Sequence, residues 1–211
     1  LHQSGTKAIN PINYYNHALY LARKSGHDDF IVQVMGYIAD HLLDKKDYNA
    51  VISNQLKAQR IINSKKNSPA FKHYWSVIFT LGTAYLHLRQ EEKARFYFER
   101  ALQLIRSPGK KPYLEYSIYH HLARYYYKEG RYDKMIKQLN HAEYFLKIWK
   151  GKEKLSDGDK YLADVYEMYY NAYKAINNLP KAIYYLEETQ KQRAINIKNE
   201  MSLQYNELYA K

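Results

Sequence analysis

Residues 122–142 read LARYYYKEGRYDKMIKQLNHA, and they give the clearest indication of how the chain folds. A large apolar residue and a small one, Leu122 and Ala123, begin the segment, and Gly130 marks a tight turn at its middle. Residues at helical spacing follow the turn; these are Met135, Leu139 and Ala142. The segment predicts two helices joined by a short turn, with small residues where the helices meet.

The same spacing recurs in three other parts of the chain. Each copy has a large apolar residue and a second, usually small one on its first helix and a triplet at the same intervals on its second. The copies are Ile38-Ala39 with Val51, Gln55 and Ala58; Leu81-Gly82 with Ala94, Phe98 and Ala101; and Tyr169-Tyr170 with Ala182, Leu186 and Thr189. Small residues let two helices approach closely. One helix pair cannot bury its own apolar face, so the pairs must stack on one another.

This pattern resembles the tetratricopeptide repeat, and the resemblance covers roughly residues 30–190. It implies an all-α fold, a right-handed α-solenoid of antiparallel helix pairs with about nine helices. The copies depart from the family in length, since Ala39, Gly82, Ala123 and Tyr170 are separated by 43, 41 and 47 residues, against about 34 in the standard unit. We therefore expect longer helices and longer connections between repeats.

The helix-breaking residues between the copies set the expected bounds of the helices. We predict helices at about residues 11–25, 28–44, 47–63, 69–88, 91–106, 112–128, 131–149, 159–176 and 179–210. The predicted organisation of 1–211 is a single array: a partial repeat (a second helix) at 8–27, repeats at 28–66, 67–109, 110–154 and 155–195, and an extension of the terminal helix at 196–211.

The search for a catalytic or metal site is negative. The chain has no Cys, no glycine-rich phosphate loop, no serine nucleophile elbow and no paired-histidine zinc helix. His120 and His121 are adjacent and so point in different directions on a helix, which disfavours a shared metal ion. We therefore predict a non-catalytic protein with no cofactor and no metal.

The first helix of each pair lines the concave groove in tetratricopeptide arrays, and the resemblance implies which side chains point into it. Repeat 3 offers His120 and Arg124, and repeat 4 offers acidic side chains at Asp164 and Glu167. The full set of candidate binding residues is Phe79, Thr83, His87, His120, Arg124, Tyr127, Lys128, Asn171 and Lys174. A protein or peptide using Phe79 and Tyr127 as apolar contacts and Arg124 as a partner for acidic groups is the expected ligand.

Basic residues form a second pattern, within a formal net charge of +12. Each connection between repeats carries lysines, and equivalent loops of a solenoid lie along one edge. The lysines of this predicted basic rim are Lys65, Lys66, Lys110, Lys111, Lys150, Lys152 and Lys154. Such a rim attracts acidic partners, so a nucleic-acid-binding repeat protein is an alternative function. Solvated loop lysines are the plainer explanation.

The composition and the terminal helix suggest a setting for the module. The chain has 25 Tyr, and its richness in Tyr, Asn and Lys resembles the sensory repeat regions of histidine kinases and transcriptional regulators from the Bacteroides group. We therefore expect the sensory or scaffolding part of a larger bacterial signalling or transcription-regulating protein, in an undetermined compartment, cytoplasmic or periplasmic. The chain begins at Leu1 rather than Met, so we expect an excised piece.

The end of the last predicted helix leaves another alternative open. Ile197, Met201, Tyr205 and Leu208 form an apolar stripe among polar residues. This stripe fits a capping helix, a stalk that leads into a further domain, or a structural subunit that oligomerises through the terminal helix. The sequence contains no run of about 18 apolar residues, so it predicts no membrane span.

Overall fold

The structure is a computed structural model that describes residues 11–64, 74–105, 111–152 and 157–209. These residues form nine α-helices, which are α1 (Pro11–Ser25), α2 (Asp28–Asp44), α3 (Tyr48–Ser64), α4 (Tyr74–His87), α5 (Glu91–Leu104), α6 (Pro112–Lys128), α7 (Tyr132–Lys152), α8 (Asp157–Ala175) and α9 (Leu179–Tyr209). The predicted all-α fold of paired helices is confirmed. The predicted start of the fourth helix at 69 lies outside the described residues.

The chain divides into two compact units, Leu1–Ile105 and Arg106–Lys211. In the first unit, α2 pairs with α3 and α4 pairs with α5, while α1 packs on α2 and α3 packs on α4. In the second unit, α6 pairs with α7 and α8 pairs with α9, and α7 packs on α8. Within each unit the second helix of a pair is thus covered by the first helix of the next pair.

The turns inside the four helix pairs share one geometry. The residue seven positions after the repeat's small residue, or after Tyr170 in the fourth copy, has a positive φ in each turn: Lys46 (59°), Arg89 (57°), Gly130 (66°) and Asn177 (59°). In every case its amide donates to the carbonyl three residues back, and the next amide donates to the carbonyl five residues back. These two hydrogen bonds close the end of the first helix of each pair. Repeats matched by sequence are therefore matched in backbone geometry as well.

Small residues sit where the paired helices approach, as predicted. Ala94, Ala123 and Ala182 are all buried. Gly82 is the tightest case, because a Cβ built on it would lie 2.7 Å from Cδ1 of Phe98 on α5. No side chain larger than hydrogen fits there unless the ring moves.

Tyrosine is divided between core and surface. Tyr169 on α8 is fully buried, and its hydroxyl donates a 2.6 Å hydrogen bond to Asn140 Oδ1 on α7. Tyr144 and Tyr184 are more than half exposed. Among the helices described, none is long and apolar enough to cross a membrane.

Candidate functional site

A cleft of about 440 Å³ opens in the second unit between α6 and α8. Its lining comes from three consecutive helices. The lining residues are His120, Arg124, Tyr127 and Lys128 from α6, Met135 from α7, and Asp164, Glu167, Met168 and Asn171 from α8. A volume of this size is within the usual range for ligand sites.

Helical spacing explains why α6 supplies one whole wall. His120, Arg124, Tyr127 and Lys128 are separated by four, three and one residues, so they share one face of the helix. The opposite face carries Leu122 and other buried residues that pack on α7. The wall therefore consists of side chains that the helix pair does not need for its own core.

The two walls of the cleft have opposite charge. Arg124 and Lys128 make the α6 wall basic, whereas Asp164 and Glu167 make the α8 wall acidic. Partial burial, with the Glu167 carboxylate as a second cause, raises the pKa of Asp164. The Glu167 carboxylate accepts a 2.7 Å hydrogen bond from Arg193 Nη2 on α9. The terminal helix thus contacts the acidic wall through this exposed ion pair.

His120 lies half-buried at the side of the cleft. Its ring centroid is 5.5 Å from that of Tyr116, which is buried. Burial, followed by repulsion from the Arg124 guanidinium, lowers the pKa of His120 to about 4. The imidazole is therefore neutral at pH 7 and offers a ligand one hydrogen-bond donor and one acceptor.

Two methionines form the apolar part of the lining, and neither is among the predicted binding residues. Met135 is almost fully buried and Met168 is half-buried. Met135 belongs to the second helix of its pair, so a rule that selects groove residues from first helices misses it. Thioether side chains adapt to ligands of different shape.

Lys174 is the predicted groove residue of the second unit that does not line the cleft. It lies one turn beyond Asn171 on α8, and its Nζ is 5.5 Å from the centroid of the Tyr170 ring. The Lys174 ammonium group therefore lies over an aromatic ring of its own helix and does not line the cleft.

Phe79, Thr83 and His87 share one face of α4 in the first unit, and each contacts a neighbour there. The Phe79 ring lies 5.8 Å from the Phe98 ring, and the Thr83 hydroxyl donates a 3.2 Å hydrogen bond to the Phe79 carbonyl oxygen. His87 is exposed and stacks on Tyr48 of α3, with centroids 4.5 Å apart. A ligand role for these three residues stays a prediction.

Most of the predicted basic rim lies outside the described residues, namely Lys65, Lys66, Lys110 and Lys154. Lys111 is exposed at the N-terminal end of α6, and Lys150 and Lys152 belong to the last turn of α7. The rim stays a prediction. Within the described part of the chain, no group of three or more His, Asp or Glu side chains gathers where it could hold a metal ion.

Fold and cleft together define a class: an all-α protein of paired helical repeats with a cleft between first helices. The model of the tetratricopeptide repeat family matches residues 76–108 and 116–144. These segments are α4 with α5 and most of α6 with α7, the second and third predicted repeats. The two matched segments are therefore tetratricopeptide repeats, and repeats of this type are generally non-catalytic.

Solved structures agree with this fold. The chain is similar to a kinesin light chain from Podosopora anserina with nearly identical TPR-like repeats, at a TM-score of 0.61 and 16% identity over 87% of this chain and 85% of that one. It is also similar to PlcR from Bacillus thuringiensis, solved with the peptide PapR7 and DNA, at a TM-score of 0.54 and 16% identity over 93% and 68% of the two chains. A third similar structure is BtubC from P. vanneervenii, with a TM-score of 0.52 and 14% identity over 87% of this chain and 89% of that one. No curated protein matches the chain by sequence.

Proposed function

We propose that the protein is a non-catalytic module that binds an extended peptide segment in the cleft between α6 and α8. It serves as the sensory or scaffolding part of a larger bacterial signalling or transcription-regulating protein. The observation that carries the proposal is the opposite charge of the two cleft walls, Arg124 and Lys128 against Asp164 and Glu167. The structural similarity to PlcR, which was solved with a peptide and DNA, supports this class of function.

The chemistry of the lining indicates what such a peptide contains. An acidic side chain pairs with Arg124, whose guanidinium binds carboxylates through two parallel hydrogen bonds. A basic side chain meets Asp164 and Glu167 on the other wall. An apolar side chain between them contacts Met168.

Neutral polar groups complete the site. Asn171 presents an amide that can both donate to and accept from a peptide backbone. His120 is uncharged at neutral pH and does the same without favouring a charge on the ligand. The site therefore prefers a peptide with residues of both signs over a purely acidic one.

A selection from a phage-displayed library of random 12-residue peptides tests the proposal with the purified chain. We expect enriched sequences with an acidic and a basic residue on either side of an apolar one. Fluorescence anisotropy of the best labelled peptide then gives its Kd for each variant. Arg124→Gln should weaken binding tenfold or more, which is about 1.4 kcal/mol.

Lys137→Gln is the matched control, because Lys137 is an exposed cation of the same unit on α7 and does not line the cleft. It changes the net charge by the same amount and should leave the Kd unchanged. An equal loss of peptide affinity in the two variants would show that only the net charge matters, and it would contradict a binding site at Arg124. A library that yields no specific peptide would contradict the proposed function itself.

Self-association through the terminal helix is a second candidate role, favoured by one observation. The side chains along one face of α9 are apolar and exposed. The two roles use neighbouring surfaces: α9 contributes no lining residue to the cleft, but its Arg193 pairs with Glu167 of the acidic wall.

A further inference from the structure

Seven apolar residues lie along one side of α9, a helix of 31 residues, in two groups that are separated by the exposed polar Gln190 of the same side. At roughly 100° per residue, the seven fall within about a third of the helix circumference. We call this set the α9 stripe: Leu179, Ile183, Leu186, Ile197, Met201, Tyr205 and Leu208. These residues are 39% to 74% exposed. The stripe differs from the face that packs on α8, where Ala182 and Thr189 are buried.

The corresponding positions on the preceding second helix are better covered. Leu186 of α9 occupies the repeat position that Leu139 occupies on α7, and Leu139 is 0% exposed whereas Leu186 is 39% exposed. The helix that follows α7 packs against it, namely α8. Within the described residues, no helix covers the α9 stripe in the same way. The stripe is therefore built to receive a helix.

The stripe also extends beyond the helix pair. α9 has 31 residues and α8 has 19, so α9 is roughly 18 Å longer at 1.5 Å per residue. Met201, Tyr205 and Leu208 lie in this longer part and are each more than 60% exposed. A cap for the repeats does not need these residues to be apolar, since they cover nothing in their own unit.

We propose that two copies of this chain associate by packing their α9 stripes against each other in antiparallel orientation. The seven side chains present on the order of 800 Å² to solvent, and a stable interface of standard size takes about 800 Å² from each partner. The stripe by itself therefore provides the area that a dimer needs.

Antiparallel orientation follows from the order of residues along the stripe. A two-fold axis between positions 193 and 194 sets Leu179 of one copy beside Leu208 of the other, and Leu186 beside Met201. Glu187 and Lys198 flank the same side of the stripe, and this axis brings Glu187 of each copy opposite Lys198 of the other. The arrangement thus pairs apolar residues at both ends of the stripe and opposite charges beside them, while Ile197 of each copy faces Gln190 of the other.

The parallel arrangement lacks this charge match. Flanking residues five positions apart face each other between parallel helices, which sets Lys198 against Arg193 of the other copy. In the antiparallel pair Arg193 lies near the axis, where its charge is already compensated by Glu167 of its own chain at 2.7 Å. Charge therefore favours the antiparallel pair.

Light scattering coupled to size exclusion measures the association directly. We expect a mass close to twice the 25.2 kDa of the chain at micromolar concentration and above. Ile197→Glu combined with Met201→Glu should halve the mass without loss of helicity. The matched control is Ile195→Glu combined with Leu203→Glu, because these exposed apolar residues lie on the same helix outside the stripe; it should keep the mass of the pair. A wild-type mass of one chain at every concentration would overturn the proposal.

Disulfide cross-linking tests the orientation of the two α9 helices. The chain has no Cys, so an introduced Cys is its only thiol. Ala194→Cys lies beside the proposed axis and should form a disulfide between copies under mild oxidation. Ile183→Cys lies far from its counterpart in the antiparallel pair and should not. Rapid cross-linking of Ile183→Cys would overturn the antiparallel arrangement.

Exchange of the flanking charges gives a second test of the arrangement. Lys198→Glu should weaken the dimer severalfold, and Glu187→Lys combined with Lys198→Glu should restore its stability. A stronger dimer for Lys198→Glu alone would also overturn the antiparallel arrangement.

Discussion

The Phe98 ring lies against Gly82 so closely that a Cβ on Gly82 would be 2.7 Å from two of its ring carbons. The contact joins α4 to α5, and Phe98 is almost fully buried. Glycine in a helix is usually a weakness, since it costs about 1 kcal/mol relative to alanine. Here the approach of the two helices requires it.

Gly82→Ala should lower the free energy of unfolding by about 1–2 kcal/mol, because displacing the buried ring costs more than the gain in helix propensity. Gly36→Ala is the matched control, since a Cβ on this glycine of α2 would meet nothing within 4 Å. It should raise the free energy of unfolding by about 0.5–1 kcal/mol. Urea unfolding followed by circular dichroism gives both values. Equal effects of the two substitutions would contradict the tight contact.

The turns inside the helix pairs offer a stabilising change. Arg89 has a positive φ of 57°, in a turn where the equivalent residue of the third repeat is Gly130. A non-glycine residue in this region costs about 1–2 kcal/mol, partly offset by the larger entropy that glycine gives the unfolded chain. Arg89→Gly should therefore raise the free energy of unfolding by about 0.5–1 kcal/mol, and Gly130→Ala should lower it by a similar amount. Thermal unfolding of the two variants would show shifts of opposite sign.

His120 makes stability depend on pH. Because burial lowers its folded pKa to about 4, the unfolded chain binds the proton more tightly, and stability falls as the pH drops from about 6.5 towards 4. His120→Gln removes this titration. Between pH 7 and pH 4.5 the wild type should lose about 2 kcal/mol more than the variant. Parallel losses in the two proteins would show that the imidazole is not held neutral.

The Tyr169 hydroxyl is a buried group that donates to Asn140 and also interacts with the Glu143 carboxylate. Tyr169→Phe keeps the ring stacked on Tyr185, 4.4 Å away, and deletes the polar contacts of the hydroxyl. We expect a loss of about 1 kcal/mol in the free energy of unfolding. Tyr184→Phe should have an effect near zero, because Tyr184 is 55% exposed. A negligible effect at Tyr169 would show that water replaces the lost partner.

The lining of the cleft could be predicted only in part from the sequence. Seven of its nine lining residues are among those that the resemblance to the tetratricopeptide repeat assigns to the groove, and side chains on one helical face stay together whatever surrounds them. Met135 and Met168 are not, because apolar residues at helical spacing look the same whether they line a cleft or fill a core. The depth of His120, which sets its pKa, is also invisible in the sequence because neighbouring helices create it.

The sequence by itself determined the helices, the turns and the repeat, because these depend on residues within a few positions of one another. The tertiary structure alone decided which members of the repeat are exposed. Leu139 and Leu186 are the same residue at the same repeat position, yet only Leu186 is part of an open stripe. Burial is a property of the residues packed around a side chain. That is why the sequence showed the end of the α9 stripe, at Ile197, Met201, Tyr205 and Leu208, but not its exposed beginning at Leu179, Ile183 and Leu186.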